Sequence, residues 1–209
     1  TSFGIITGDV GKILRTTDGG LTWTPQASGY FSRLNAVEII DENTATAVGN
    51  NGTILRSSDG GQTWNPQTSP VNQQLLSVAF SDPNTGVITG FNGTVLYTSD
   101  GGNTWDVSPQ QTTGEINSVK FFTPARCVAV CSGYEIFLSS DSGKTWDAVQ
   151  NYYYPDGGYD VCILNENTAV WVGYGIVKTS DQGITWLAQS GGIDVGFNGV
   201  CFTDVNHGT

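Results

Sequence analysis

Along this chain apolar residues come in short bursts, and no stretch repeats them at the 3.6-residue spacing of a helix. The bursts are LNAVEII (34–40), LLSVAFS (75–81), INSVKFF (116–122), YDVCILN (159–165) and FNGVCFT (197–203). After each of the first four comes a polar turn such as SDPNTG (81–86), then a second short apolar run such as GVITG (86–90). A Gly-rich turn, a third run such as TVLYTS (94–99) and an Asp-Gly turn follow, and the last segment opens with Thr-Trp. Strands of four to seven residues joined by tight turns predict an antiparallel meander of four strands, A to D.

The meander repeats. The stretches TTDGGLTW (16–23), SSDGGQTW (57–64), TSDGGNTW (98–105), SSDSGKTW (139–146) and TSDQGITW (179–186) are near copies, and their tryptophans recur at intervals of 41, 41, 41 and 40 residues. One four-stranded sheet cannot cover both of its faces, whereas sheets stacked around an axis can. The expected fold is therefore an all-β, five-bladed β-propeller forming one domain over residues 1–209. The expected blades are 1–27 with 197–203, then 34–67, 75–108, 116–149 and 159–189. Residues 1–8 match a strand B and 197–203 match a strand A, so the C-terminal strand is expected to complete the first blade. The tail DVNHGT overlaps the N-terminal TSFG in register, which also fits a piece of a longer, secreted protein.

The repeated octapeptide resembles the Asp-box, also called the BNR repeat. Its carboxylates Asp18, Asp59, Asp100, Asp141 and Asp181 are placed to accept backbone N–H bonds within the turn. The second glycine tolerates positive φ. Trp23, Trp64, Trp105, Trp146 and Trp186 offer large apolar bodies for packing. Five identical carboxylates spread around a ring share no common substrate, so the repeat reads as frame.

Composition narrows the partner. With 19 acidic and 8 basic residues the net charge is −11, which disfavours nucleic acid. No apolar run approaches the roughly 20 residues of a membrane span. Cys127, Cys131, Cys162 and Cys201 fit no zinc or redox spacing and are expected to be buried free thiols. Cys127 and Cys131, four residues apart on one strand, lie about 13 Å from one another, too far to bridge. No cofactor or metal site is expected, and the one histidine, His207, leaves nucleophilic triads without parts.

A site is expected on the rim opposite the Asp-boxes, where the D-to-A connections and B–C turns differ between blades. The connection QNYYYPDGGYD (150–160) brings together Tyr152, Tyr153, Tyr154, Asp156 and Tyr159, and the B–C turns add Phe91, Tyr134 and Tyr174. Tyrosine pairs a flat apolar face with a hydroxyl, which suits a glycan or a peptide. The expected function is a non-catalytic binding module on an extracellular or periplasmic protein. A glycosidase built on two of Glu115, Asp156, Asp160 and Asp194 is the enzymatic alternative. The sequons at Asn51 and Asn92 also read as Asn-Gly turns. Sialidases share the Asp-box, but their N-terminal Arg-containing segment and arginine triad have no counterpart here.

The segments GDVGKILRTTDGGLTW (8–23) and GNNGTILRSSDGGQTW (49–64) are similar to the repeat unit of the photosystem II assembly and stability factors. That resemblance implies a non-enzymatic protein-assembly platform in an exported or lumenal compartment. Arg15 and Arg56 with Lys12 would then supply a basic patch for the client. The family generally has seven blades, and here the repeat's Arg becomes Tyr97, Leu138 and Lys178 in later units.

Overall fold

The structure, a computed structural model, describes residues 3–109, 112–133, 135–150, 157–189, 196–204 and 206–209. Every regular element is a strand or a short 3₁₀ turn among these residues, and no helix is long and apolar enough to cross a membrane.

Four sheets have four strands each, in sequence order and antiparallel. The first sheet contains β1 (Gly4–Thr7), β2 (Ile13–Thr16) and β3 (Thr24–Gln26). The second holds β4 (Leu34–Ile39), β5 (Ala45–Gly49), β6 (Ile54–Ser57) and β7 (Asn65–Pro66). Next come β8 (Leu75–Phe80), β9 (Gly86–Gly90), β10 (Val95–Thr98) and β11 (Asp106–Val107). The fourth sheet is β12 (Ile116–Phe121), β13 (Cys127–Cys131), β14 (Glu135–Ser139) and β15 (Asp147–Gln150). The fifth is β16 (Gly158–Ile163), β17 (Ala169–Gly173), β18 (Ile176–Thr179) and β19 (Leu187–Gln189). A two-stranded hairpin, β20 (Phe202–Asp204) and β21 (His207–Gly208), ends the chain.

The second strand of each four-stranded sheet is buried along its whole length, because both of its faces meet neighbouring sheets. One apolar cluster joins Ile5 and Ile13 of the first sheet to Ala47, Leu55 and Trp64 of the second. Another joins Val48, Ile54 and Ile88 to Trp105. Each Asp-box tryptophan is thus covered by the sheet before it. Trp23 is the exception at 36% exposed, against 7% for Trp64. It belongs to none of the buried clusters, and Ile6 on the same sheet is exposed too.

The Asp-box turns show why the octapeptide recurs. Thr63 gives both its N–H (2.9 Å) and its hydroxyl (2.7 Å) to the Asp59 carboxylate, while Ser57 Oγ donates to Asp59 Oδ1 at 2.9 Å. Ser57 Oγ in turn accepts the Gly61 N–H at 2.8 Å. The same set closes the turns at Asp18, Asp100, Asp141 and Asp181. Gly61 sits at φ 81°, and a Cβ there would lie 2.8 Å from Ile5 Cδ1 of the preceding sheet. The A–B turn of each four-stranded sheet reaches the same rim, as in the Gly60 N–H to Asn43 carbonyl bond at 2.7 Å.

The C-terminal strand departs from expectation. β20 pairs with β21 and not with β1, so the first sheet stays three-stranded. The cause is local. Asp204 Oδ1 accepts the N–H groups of Asn206 (2.8 Å) and His207 (3.1 Å), turning the chain back on itself as Asp41 does after β4. Phe202 pairs with Gly208 as Phe80 pairs with Gly86, each ring lying 2.6 Å from where the glycine's Cβ would be. Residues 197–209 therefore form the A–B hairpin of a further unit beside the fifth sheet. Phe197 donates its N–H to the Gly173 carbonyl at 2.7 Å, as Leu34 does to Gly8 at 3.1 Å.

Candidate functional site at the axial mouth

Strand A of each unit starts at the rim opposite the Asp-boxes. A bulge near its first residue is visible between Leu34 and Ala36, Leu75 and Ser77, Ile116 and Ser118, and Gly158 and Asp160. The residue inside the bulge leaves the ladder and turns toward the axis. Those residues are Asn35, Leu76, Asn117 and Tyr159, with Asn198 at the same place in the C-terminal segment. All five line one depression of about 390 Å³, together with Arg33, Gln74, Phe91 and Glu115.

Part of this lining is held rigidly. Asn35 Nδ2 donates to the Leu75 carbonyl of the next sheet at 2.7 Å and to Asn50 Oδ1 at 3.1 Å. Asn117 repeats the arrangement with the Gly158 carbonyl at 2.8 Å and Ser132 Oγ at 3.1 Å. These bonds consume the amide donors, so each Asn offers its Oδ1 acceptor to the mouth. Leu76, Phe91 and Tyr159 supply an apolar and aromatic arc, extended by Tyr174, whose ring centroid lies 6.0 Å from that of Tyr159. Arg33 brings a cation, 3.4 Å from the Asp9 carboxylate, and Glu115 an anion. Amide acceptors, an apolar arc and one charge of each sign suit an extended backbone with an apolar side chain.

Of the aromatic residues singled out from the sequence, the structure brings Phe91, Tyr159 and Tyr174 to this rim. Tyr134, Tyr152, Tyr153, Tyr154 and Asp156 lie outside the described residues, as does Asp194. Asn35, Leu76 and Asn117 were missed by sequence reasoning because they sit inside apparently regular strands. Their signal is the 41-residue step between them, visible once the strands are aligned on the tryptophans.

Two chemical expectations change. Asp160 is committed to structure: Oδ1 accepts Ser118 Oγ and the Val161 N–H, both at 2.9 Å, and Oδ2 accepts the Val200 N–H at 3.0 Å. The basic patch of Arg15, Arg56 and Lys12 does not assemble either. Arg15 Nε donates to the Gly60 carbonyl of the next sheet at 2.6 Å, and Arg56 Nη1 donates to Thr46 Oγ1 at 3.1 Å beneath the Phe80 ring. Both belong to the Asp-box side, whereas Lys12 follows the 3₁₀ turn Asp9–Gly11 at the other rim. A groove of about 520 Å³ between the first two sheets is lined by Arg15 and Asp41, of which Arg15 Nε bonds to the Gly60 carbonyl and Asp41 Oδ1 accepts the Asn43 and Thr44 N–H groups. Among the described residues no three His, Cys, Asp or Glu side chains gather as metal ligands.

The cysteines divide. Cys127 and Cys131 are buried on β13; burial pushes the Cys131 thiol up to about 11 and Cys127 higher still. Cys162 is half-buried and Cys201 exposed, contrary to the expectation of four buried thiols.

The comparisons agree with this architecture. No curated protein matches the chain. Among solved structures, YCF48 bound to a D1 peptide superposes with a TM-score of 0.76 at 18% identity, covering 99% of this chain and 70% of that one. An ancestral GH74 enzyme gives 0.73 at 16% identity, with coverage of 96% and 31%. The GH74 xyloglucanase of Xanthomonas campestris gives 0.71 at 16%, with coverage of 96% and 38%. The chain thus spans about a third of either hydrolase, and at these identities the likeness shows the propeller fold alone. The family model described as photosynthesis system II assembly factor YCF48 matches residues 64–197, more than half of the sequence, and the chain belongs to that family of BNR-type β-propellers.

Proposed function

We propose that this propeller is a non-catalytic assembly factor that holds an extended segment of a client protein at the axial mouth. The observation that carries the reading is the convergence of Asn35, Leu76, Asn117, Tyr159 and Asn198 on one depression. A peptide laid across it would give backbone N–H groups to the Asn acceptors and an apolar side chain to Leu76, Phe91 and Tyr159. Arg33 and Glu115 would set its direction. Family membership and the peptide-bound YCF48 structure support a protein client over the glycan expected from the tyrosine-rich connection. An exported compartment, extracellular or periplasmic, is part of the same proposal.

The test is a peptide array of ten-residue segments probed with the full chain, followed by fluorescence polarisation on the best binder. Leu76→Asp and Tyr159→Ala are expected to weaken binding at least about tenfold, roughly 1.4 kcal/mol, with the unfolding midpoint of Tyr159→Ala near that of the parent. Binding that survives both substitutions, or a chain that ignores peptides and binds a glycan array, sinks the proposal.

A further inference from the structure

Below the mouth the axis opens into a second cavity of about 430 Å³. Its lining includes the residue of each strand A that faces the centre: Glu38, Ala79, Lys120, Cys162 and Cys201. The register confirms that they are equivalent. Glu38 pairs with Thr46, Ala79 with Val87, Lys120 with Val128 and Cys162 with Val170, while Cys201 exchanges N–H···O bonds of 2.9 and 2.8 Å with Thr209. Two thiols therefore face one cavity from neighbouring inner strands. Two hydrogen bonds hold the C-terminal segment beside the fifth sheet: Phe197 N–H to the Gly173 carbonyl at 2.7 Å and Val200 N–H to Asp160 Oδ2 at 3.0 Å. Asp160 lies two residues before Cys162 and Val200 directly precedes Cys201, so the second bond sets the two cysteines on adjoining stretches of chain.

We propose that Cys162 and Cys201 are a dithiol–disulfide pair whose oxidation staples the C-terminal hairpin to the fifth sheet across the axial cavity. Cys201, exposed, reacts first: its thiolate attacks one sulfur of a small-molecule disulfide such as oxidised glutathione, and one glutathione thiolate leaves and takes a proton. Cys162 then loses its proton and attacks the Cys201 sulfur of the mixed disulfide, expelling the second glutathione. The two protein thiols have lost two protons and two electrons, and one glutathione disulfide has become two thiols. Burial pushes the Cys162 thiol up, which suits the resolving rather than the attacking role. Cys127 and Cys131 stay outside the exchange, buried within β13, with the Cys131 Sγ–H donating to the Glu135 carbonyl at 3.0 Å.

The experiment incubates the full 209-residue chain with oxidised glutathione, then counts free thiols, weighs the intact protein and maps tryptic peptides without reduction. The expected result is a fall from four thiols to two, a mass lower by about 2 Da, and peptide 145–178 linked to 179–209 within one chain. The Cys201→Ser variant should keep all three remaining thiols. Four free thiols in the treated parent, a lasting glutathione adduct on Cys201, or linkage only between two chains would each overturn the proposal. Dithiothreitol added to the oxidised protein should restore all four thiols; failure to do so also counts against it.

Discussion

Arg15 Nε lies 2.6 Å from the carbonyl oxygen of Gly60, so the guanidinium of one sheet holds the Asp-box of the next. The same side chain spans the Phe3 ring, 5.3 Å from its centroid. The tie is directional, because a planar guanidinium presents the Nε–H to one side of the ring contact while a lysine ammonium cannot make both. Arg15→Lys keeps the charge and is expected to cost about 1–2 kcal/mol in urea unfolding while leaving peptide affinity unchanged. A drop in affinity at unchanged stability would return Arg15 to a client-binding role.

The tryptophans should not be equivalent. Trp146→Ala removes a side chain that is buried in a core shared by two sheets, and it is expected to cost about 3–5 kcal/mol. Trp23→Ala should cost less than half as much, because its ring is more than a third exposed. Equal losses in parallel denaturant titrations would mean that another sheet covers Trp23 in solution.

Gly52 follows Asn51 in the turn between β5 and β6, at φ 67°, and a Cβ there would fall 2.0 Å from the Val71 carbonyl oxygen. Backbone cannot yield as a side chain would, so Gly52→Ala is expected to destabilise by roughly 2–4 kcal/mol. Gly29→Ala is the control: φ is 73° but the space is open, and about 1 kcal/mol is expected.

Acid should loosen the Asp-boxes together. Hydrogen bonds from the Thr22 side chain and N–H bring the Asp18 carboxyl down to about 2, those from Thr63 do the same for Asp59, and the Thr104 N–H and hydroxyl for Asp100. Because the folded values lie below the unfolded one, near 3.8, the charged form stabilises the fold above about pH 4. That contribution disappears as pH falls toward 2. Asp59→Asn removes one titrating group, so its urea midpoint should fall less between pH 7 and pH 2.5 than the parent's. An identical fall in both proteins would show that Asp59 does not titrate with folding.

The frame was legible in the sequence because it is local. An Asp-box closes through bonds between residues two to four apart, such as Ser57, Asp59, Gly61 and Thr63, so its residues must appear together and recur with each unit. Short apolar runs bounded by turn residues did the same for the sheets. The mouth was legible only in part. Phe91, Tyr159 and Tyr174 announce themselves as aromatics in connections, but Asn35, Leu76 and Asn117 face the axis only because a bulge takes each out of its ladder. The partners of Arg15 and the separation of Cys201 from the buried thiols were decided by tertiary structure. Each depends on which sheet stacks on which, and contacts between residues about 40 apart leave no pattern within either segment.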